Sequence, residues 1–365
     1  MAWPLVEGLE KRQLLAAAPP LFVQTNLISD GATPAARTDP NLVNPWGIAV
    51  SPTTGEVWVA DNGKGVATVY DQTGTPQSPT LVTIPPPAGS TDTSAPTGAV
   101  FFHGKAFNVS ASGQTGPSIY LFSTEDGTIS GWNPAVDATH AVLAVDNSAS
   151  AAVYKGLAVS GSGKSARLFA TNFRSGAVEV YDSTFTKVAL PAGAFSDPNL
   201  PAGFAPFGIH LLKGKLYVTY ALQNGAKHDD VAGPGNGFVD IYSTRGKLLK
   251  RFASGGTLNS PWAVTLGVGR DANDILVGNF GDGRINVFNT RGANLGQLED
   301  TNSQTITIDG LWDLTHGTAK NKRTLFFAAG TNGEADGLFG TIAQQVVTRA
   351  RQVSPGTTPT PAGPY

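Results

Sequence analysis

An all-β fold, a six-bladed β-propeller built from four-stranded antiparallel blades, is predicted by three features of the sequence. A Gly-x4-aromatic segment recurs roughly every 50 residues, a Gly-apolar-apolar opening precedes each copy, and an apolar run rich in β-formers lies between the two. Turn residues punctuate the segments, with 44 Gly and 25 Pro among 365 residues. No window carries a long helical period apart from a short stretch at 6–15. Evenly spaced short strands repeated six times are the pattern from which a ring of radial sheets is made.

The openings are PWGIAV, PTGAVF, YKGLAV, PFGIHL, PWAVTL and IDGLWDL, and each is read as the innermost strand of a blade. The middle runs, VWVADN, YLFSTED, LFATNF, LYVTYA, ILVGNF and LFFAAG, are second strands. Third strands follow in GVATVYD, GTISGWN, GAVEVYD, GFVDIYS and GRINVFN, with GLFGTIA a weaker sixth copy. Outer strands are expected in LVTIP, AVLAVD, KVALP, LLKRF and LGQLED. The run LFVQTNLIS at 21–29 is one more strand, expected to close the ring by completing the sixth blade, with QQVVTRARQV at 344–353 as its competitor. The chain thus divides into a lead-in or sorting segment at 1–20, the propeller at 21–353 and a Pro/Thr-rich flexible tail at 354–365.

With its Pro-x-Gly-apolar openings, the repeat resembles the NHL type of six-bladed propeller. The runs NLVNPWGIAV, GTISGWNP, KHDDVAGPGNGFVD and VGNFGDGRIN also resemble those of a family of often exported bacterial propeller proteins. That resemblance spans nearly the whole chain and implies fold; it carries no activity with it. Near the start, Leu9-Glu10-Lys11-Arg12-Gln13-Leu14-Leu15 resembles a short Leu-Glu-x-Arg-x-Leu-Leu sorting motif of exported proteins, without the apolar core of a signal peptide. An exported, extracellular or cell-surface location is expected from it.

Composition narrows the function classes. With 25 Lys and Arg against 27 Asp and Glu there is no basic field to attract nucleic acid. No stretch approaches the ~20 apolar residues of a membrane-spanning helix. The absence of cysteine excludes disulfides, thiolate zinc sites, iron–sulfur clusters and cysteine nucleophiles. SGSGKSA at 160–166 has neither the nucleophile-elbow pattern nor the phosphate-loop spacing and reads as a hairpin turn.

Function is argued from the face where second strands turn into third strands and outer strands lead to the next blade. Aligning second-strand ends gives one column, Asp61, Glu125, Asn172, Tyr220, Asn279 and Ala329. Inner-strand starts give another, Trp46, Thr97, Lys155, Phe207, Trp262 and Asp309, with Trp312 close by. Oxygen ligands from different blades suit Ca2+ or another divalent cation, and Asp61, Glu125, Asn172 and Asn279 resemble the metal site of gluconolactonase-type propellers. That resemblance implies a cation polarising an ester or lactone. Asp and Asn are equally what turns demand. Trp46, Lys155, Phe207, Tyr220, Trp262, Asp309 and Trp312 are candidate ligand-binding residues, because aromatic platforms suit flat or partly apolar ligands. A regular aromatic after Pro would also plug the channel.

The longest insertion on this face, at 223–237, carries His228, Asp229 and Asp230. They are candidates for general acid–base work or metal ligation, or for simple loop capping. Asp197, Asp282, Glu334 and Asp336 belong to the same rim or are solvated turn acids. His103 and His316 fall at turns on the opposite face, so a three-histidine metal site is not expected. The leading functional expectation is a binding module for a small molecule, glycan or protein. A metal-dependent hydrolase or lyase of lactonase type and a homo-oligomer assembled through terminal strands are the alternatives.

Overall fold

The computed structural model describes residues 21–318 and 323–345. The segment 1–20, the tail 354–365 and all but the first two residues of 344–353 lie outside the described residues. Six sheets radiate from one axis. Blade 1 is Pro45–Val50, Val57–Asp61, Val66–Tyr70 and Pro76–Thr83, and blade 2 is Pro96–Phe101, Tyr120–Thr124, Thr128–Trp132 and Val142–Asp146. Blade 3 contains Tyr154–Ser160, Arg167–Asn172 and Ala177–Tyr181. Blade 4 is Phe204–Leu212, Lys215–Leu222, Phe238–Tyr242 and Leu248–Ser254, and blade 5 is Pro261–Leu266, Ile275–Asn279, Ile285–Phe288 and Asn294–Gln297. Adjacent strands within each blade pair antiparallel. The six inner strands touch in cyclic order, so the ring is closed.

Blade 6 takes three strands from the C-terminal part of the chain, Leu311–His316, Thr324–Ala329 and Leu338–Gln344, and its fourth from the N-terminal part, Leu21–Ser29, on whose far edge the short strands Arg37–Thr38 and Glu299–Asp300 pair parallel. Seven residue pairs, from Phe22↔Gln344 to Ser29↔Leu338, hold this closing strand antiparallel to its neighbour. The predicted closure is therefore the observed one. The competing segment contributes Gln344, which ends the third strand, and Gln345, whose amide bonds Leu21 O at 2.9 Å.

Two details depart from the regular pattern. The outer strand of blade 3 shrinks to a single bridge, Tyr181↔Lys187, because the chain then runs through Pro191, Pro198 and Pro201, which cannot donate ladder hydrogen bonds. A small hairpin, Asn108–Ala111 with Gln114–Pro117, is inserted between the first two strands of blade 2.

Apolar wedges fill the spaces between blades. Trp58, Tyr120, Phe122 and Trp132 pack between blades 1 and 2, and Ile28, Ile48, Val59, Phe326 and Phe339 between blades 6 and 1. Toward the axis, four of the inner strands approach their neighbours so closely that a side chain does not fit. A Cβ on Gly47 would stand 2.6 Å from both the Ala99 nitrogen and the Thr97 oxygen. The equivalent positions are Gly98, Gly156, Gly208 and Ala263, whereas blade 6 alone has a long side chain there, Asp313.

Candidate functional site: the channel mouth

Strand register decides which predicted residues reach the mouth. The inner-strand residues Pro45, Pro96, Tyr154, Pro206, Pro261 and Leu311 pair with Asp61, Thr124, Asn172, Tyr220, Asn279 and Ala329. In this column the polar side chains turn into their own blades. Asp61 Oδ2 accepts from the Thr68 amide at 3.0 Å, and Asn172 Nδ2 donates to Glu179 Oε1 at 3.1 Å. Tyr220 is 2% exposed and bonds Tyr242 hydroxyl to hydroxyl at 2.7 Å. Asn279 donates to the Thr257 carbonyl and to Asp282. Burial pushes the Asp61 carboxyl well above its ordinary range, against the hydrogen bond from the Thr68 amide.

Residues one step further along form the mouth ring instead, since a step of one along a strand reverses the side chain. Their places are Asn62, Glu125, Phe173, Ala221, Phe280 and Gly330. Asn62, Glu125, Phe173, Phe280 and Gly330 donate a backbone bond to Asn44, Ala95, Val153, Ser260 and Gly310, and Ala221 pairs with Ala205. Glu125 thus belongs to this ring and does not share a column with Asp61, Asn172 and Asn279. The inner-strand ring is Trp46, Thr97, Lys155, Phe207, Trp262 and Trp312. Asp309 lies three residues before that register, exposed, with Oδ2 accepting from the Asn332 amide at 2.8 Å. Gly310 in IDGLWDL imitates the glycine of the other openings but precedes the strand.

The aromatic members close the axis. Trp46 stacks on Trp312 with centroids 3.3 Å apart, Phe280 stacks on the same indole at 3.9 Å, and Trp262 meets both tryptophans edge-on. Phe207 and Phe173 continue the layer. Trp46, Trp262, Trp312, Phe207 and Phe173 are each at most 2% exposed, so they are a floor beneath the mouth and present no open platform.

A continuous polar chain lies over that floor. Trp312 Nε1 donates to Asn44 Oδ1 at 3.1 Å, and Asn44 Nδ2 reaches both Glu334 Oε2 at 2.8 Å and Asn62 Oδ1 at 3.2 Å. Asn62 Nδ2 donates to Glu125 Oε2 at 2.9 Å. The other Glu125 oxygen takes the Lys155 ammonium, which also stands 3.5 Å from Asp229 Oδ1. Lys155 Nζ lies 5.1 Å above the centre of the Trp46 ring, a cation–π placement, and the side chain is 3% exposed. Blade 5 joins through Trp262 Nε1, which donates to the Lys155 carbonyl at 2.9 Å.

Blade 4 supplies the far end through the insertion at 223–237. Asn224 shapes it, its Oδ1 accepting from the His228 amide and its Nδ2 reaching Asp229. His228 Nδ1 lies 2.7 Å from Asp229 Oδ1. Burial opposes ionisation of Asp229, but the His228 hydrogen bond and the Lys155 charge outweigh it and hold the group below the usual carboxylate range. An ionised carboxylate only accepts, so Nδ1 carries the proton. Burial raises Asp230 and Glu334 above the usual range, the latter against the hydrogen bond from Asn44.

Glu125, His228 and Asp229 offer ligand atoms within 4.8 Å of one another. The Lys155 ammonium bonds two of the three, so a divalent ion held by this set would face a fixed positive charge. As arranged, these residues do not fit such an ion. Of the rim acids, Glu334 joins the network, whereas Asp197 pairs with Arg251 away from it. Asn44 and Asn62 were not legible as site residues. Asn44 meets Glu334 from the other end of the sequence, and local spacing gives no sign of that partnership.

Fold and mouth define a six-bladed propeller of the NHL-repeat class, and a family model described as NHL repeat matches residues 42–65, in blade 1 and the loop leading into it. The chain belongs to the same family as the Uncharacterized protein R648 of Acanthamoeba polyphaga mimivirus. The two are 31% identical over 331 residues, covering 88% of this chain and 80% of the relative. A second mimivirus relative, Uncharacterized protein L690, is 30% identical, covering 88% and 85%. Among solved structures, a streptogramin B lyase is similar with a TM-score of 0.51 and 14% identity, covering 89% of this chain and 97% of that one. A catalytically inactive virginiamycin B lyase from Staphylococcus aureus with Quinupristin gives 0.51 and 15%, covering 89% and 99%. At such identities the likeness is one of fold. Among the described residues no helix is long and apolar enough to cross a membrane.

Proposed function

We propose that the protein is an exported or cell-surface binding module that takes a hydroxyl-rich small molecule or glycan at the channel mouth. The observation that carries this reading is the polar chain from Glu334 through Asn44, Asn62, Glu125 and Lys155 to Asp229 and His228, drawn from five blades over one aromatic floor. Carboxylates that retain lone pairs accept from ligand hydroxyls, and His228 and the amides supply further polar partners. Rigid blades hold this set in place before a ligand arrives, which lowers the ordering cost of binding. The sorting-type run at 9–15 supports export.

Saturation-transfer NMR with neutral mono- and disaccharides tests the proposal. Signals from at least one sugar class are expected, and they should disappear in Asp229→Asn and His228→Ala, whose side chains are accessible enough to spare the fold. No signal at millimolar sugar, or signals indifferent to both changes, would overturn it. Elemental mass spectrometry of protein purified without chelator addresses the lactonase-type alternative. Near-stoichiometric metal that is lost in Glu125→Gln would replace the binding reading and direct a lactone and ester screen.

A further inference from the structure

Five blades treat the glycine of the Gly-x4-aromatic repeat alike. Its carbonyl accepts an amide from the chain past the fourth strand, Gly65 from Ile84, Gly127 from Asn147, Gly237 from Gly255, Gly283 from Ile308 and Gly337 from Asp30, at 2.9 to 3.3 Å. A Cβ on any of these five would stand within 2.8 Å of a neighbouring atom, because the crossing to the next blade is packed there. Blade 3 breaks the pattern. Among the described residues no amide reaches the Gly176 carbonyl, and a Cβ on Gly176 would meet nothing within 4 Å.

The open position continues along the third strand. Val188 N donates to Val180 O at 2.8 Å, and past that bond the chain leaves the edge toward Pro191. Since Val180 turns its carbonyl outward, Val178, two residues back on an antiparallel strand, does the same. Its counterparts in blades 1 and 4, Ala67 and Val239, are paired with Val82 and Ala253, whereas Val178 has no outer-strand partner. A groove of about 510 Å³ lies here, between residues 177–180 and 187–190. Its apolar side is the cluster of Val178, Val180, Val188 and Leu190. An unpaired strand edge beside an apolar groove is a template for one more strand.

The chain carries one β-compatible run without a blade. The N-terminal strand Leu21–Ser29 holds the fourth place in blade 6, so the run at 346–353, VVTRARQV, has no place left there. It follows directly on Gln345, whose amide bonds Leu21 O in blade 6, across the ring from blade 3. With no spacer between, it cannot reach the groove of its own ring. We infer that the edge of blade 3 is a docking site for residues 346–353 of a second copy of this chain, added as the missing fourth strand. Side chains alternate along a strand, so Val346, Thr348 and Ala350 would lie with Val178 and Val180, and Arg349 and Arg351 on the other face with Ala177. Tail of blade 6 to edge of blade 3 is a head-to-tail contact, so assembly extends copy by copy or closes as a ring.

Sedimentation velocity of the full chain over a concentration series tests this. The weight-average mass is expected to rise with concentration from one chain to several, and excess synthetic peptide of residues 346–353 should return it to one. Ala177→Lys places a charge on the exposed edge, where lysine blunts strand pairing, and Thr348→Pro removes an amide from the incoming strand. Each should weaken association about tenfold or more, with thermal melts confirming that the ring stays folded. A single-chain mass at every concentration, or association indifferent to the peptide, would overturn the inference. So would association that falls with Thr348→Pro and survives Ala177→Lys, since the tail would then dock elsewhere. Should Ala177→Lys unfold, Val178→Pro removes the outward amide instead and is read in the same way.

Discussion

The Asp313 carboxylate accepts the Ile48 amide at 2.8 Å across the seam where blade 6 meets blade 1, with its second oxygen on the Leu314 amide at 2.7 Å. The first and last inner strands are thus joined by a side chain at the position where four other blades have glycine. Burial pushes this carboxyl up to about 7, although both amides favour its ionised form.

The consequence is a stability that depends on pH. Unfolded, the group has its ordinary pKa of 3.8, so between that value and about 7 the folded chain binds the extra proton. Stability contributed here is therefore full at low pH and declines as pH rises through 7, by at most on the order of 4 kcal/mol. Asp313→Asn, neutral throughout, should flatten that decline in denaturant titrations at pH 5, 6, 7 and 8. An unchanged slope would show that the carboxyl is ordinary.

Arg251 bonds both Asp240 and Asp197, two carboxylates with almost no exposure, at the outer strand of blade 4. Burial raises Asp240 to about 6, with Arg251 opposing it. Removing the guanidinium in Arg251→Met leaves two buried negative charges without compensation, which costs roughly 3–5 kcal/mol. Melting temperature should fall most at pH 8 and recover toward pH 5 as Asp240 takes up a proton. A pH-independent loss would assign the effect to packing alone.

At the mouth, Lys155 and Glu125 should behave as one unit. Lys155→Met strands the Glu125 charge against Asn62, and a loss of about 3 kcal/mol or more is expected. Adding Glu125→Gln should restore much of it, giving a coupling energy above ~1 kcal/mol in a double-mutant cycle. Additive losses would mean that the pair is solvated.

The closing strand offers a contrast between adjacent residues. Phe22 is 1% exposed, in the apolar cluster that includes Leu298, Leu325 and Ile342, while Val23 is 42% exposed. Phe22→Ala should cost about 3–5 kcal/mol, and Val23→Ala should change stability by no more than ~0.5 kcal/mol. Equal effects would show that the strand is not docked as described. Size-exclusion chromatography of Phe22→Ala adds a second readout, since a loosened strand that pairs in trans would raise the apparent mass.

Blade count, strand order and closure were legible because Gly-x4-aromatic copies repeat the same turn and the same buried ring, and LFVQTNLIS had no other blade to complete. Lys155 was legible because its strand begins with the same Gly-apolar pattern as its neighbours. Register was less so. The Gly-apolar pattern aligns Asp309 through Gly310, which has φ +63 and lies before the strand, while Trp312 and Asp313 occupy the true positions. Strand ends in the sequence align Glu125 with Asp61, although the ladder places Thr124 there. Each slip reverses or displaces a side chain, so turn glycines locate a strand without fixing which residues face the axis. The Asn44–Glu334 bond spans nearly the whole chain and depends on ring closure, which no local pattern encodes.

The tryptophan layer makes the propeller axis a blind well. Below it lies a chamber of about 400 Å³ lined by inner strands of all six blades, with His210 and Asp313 in its wall. A solute at the mouth meets stacked indoles, and one entering from the opposite face meets their undersides. The two faces thus have separate chemistry, and any message between them has to travel through rigid rings and backbone, with no molecule passing through.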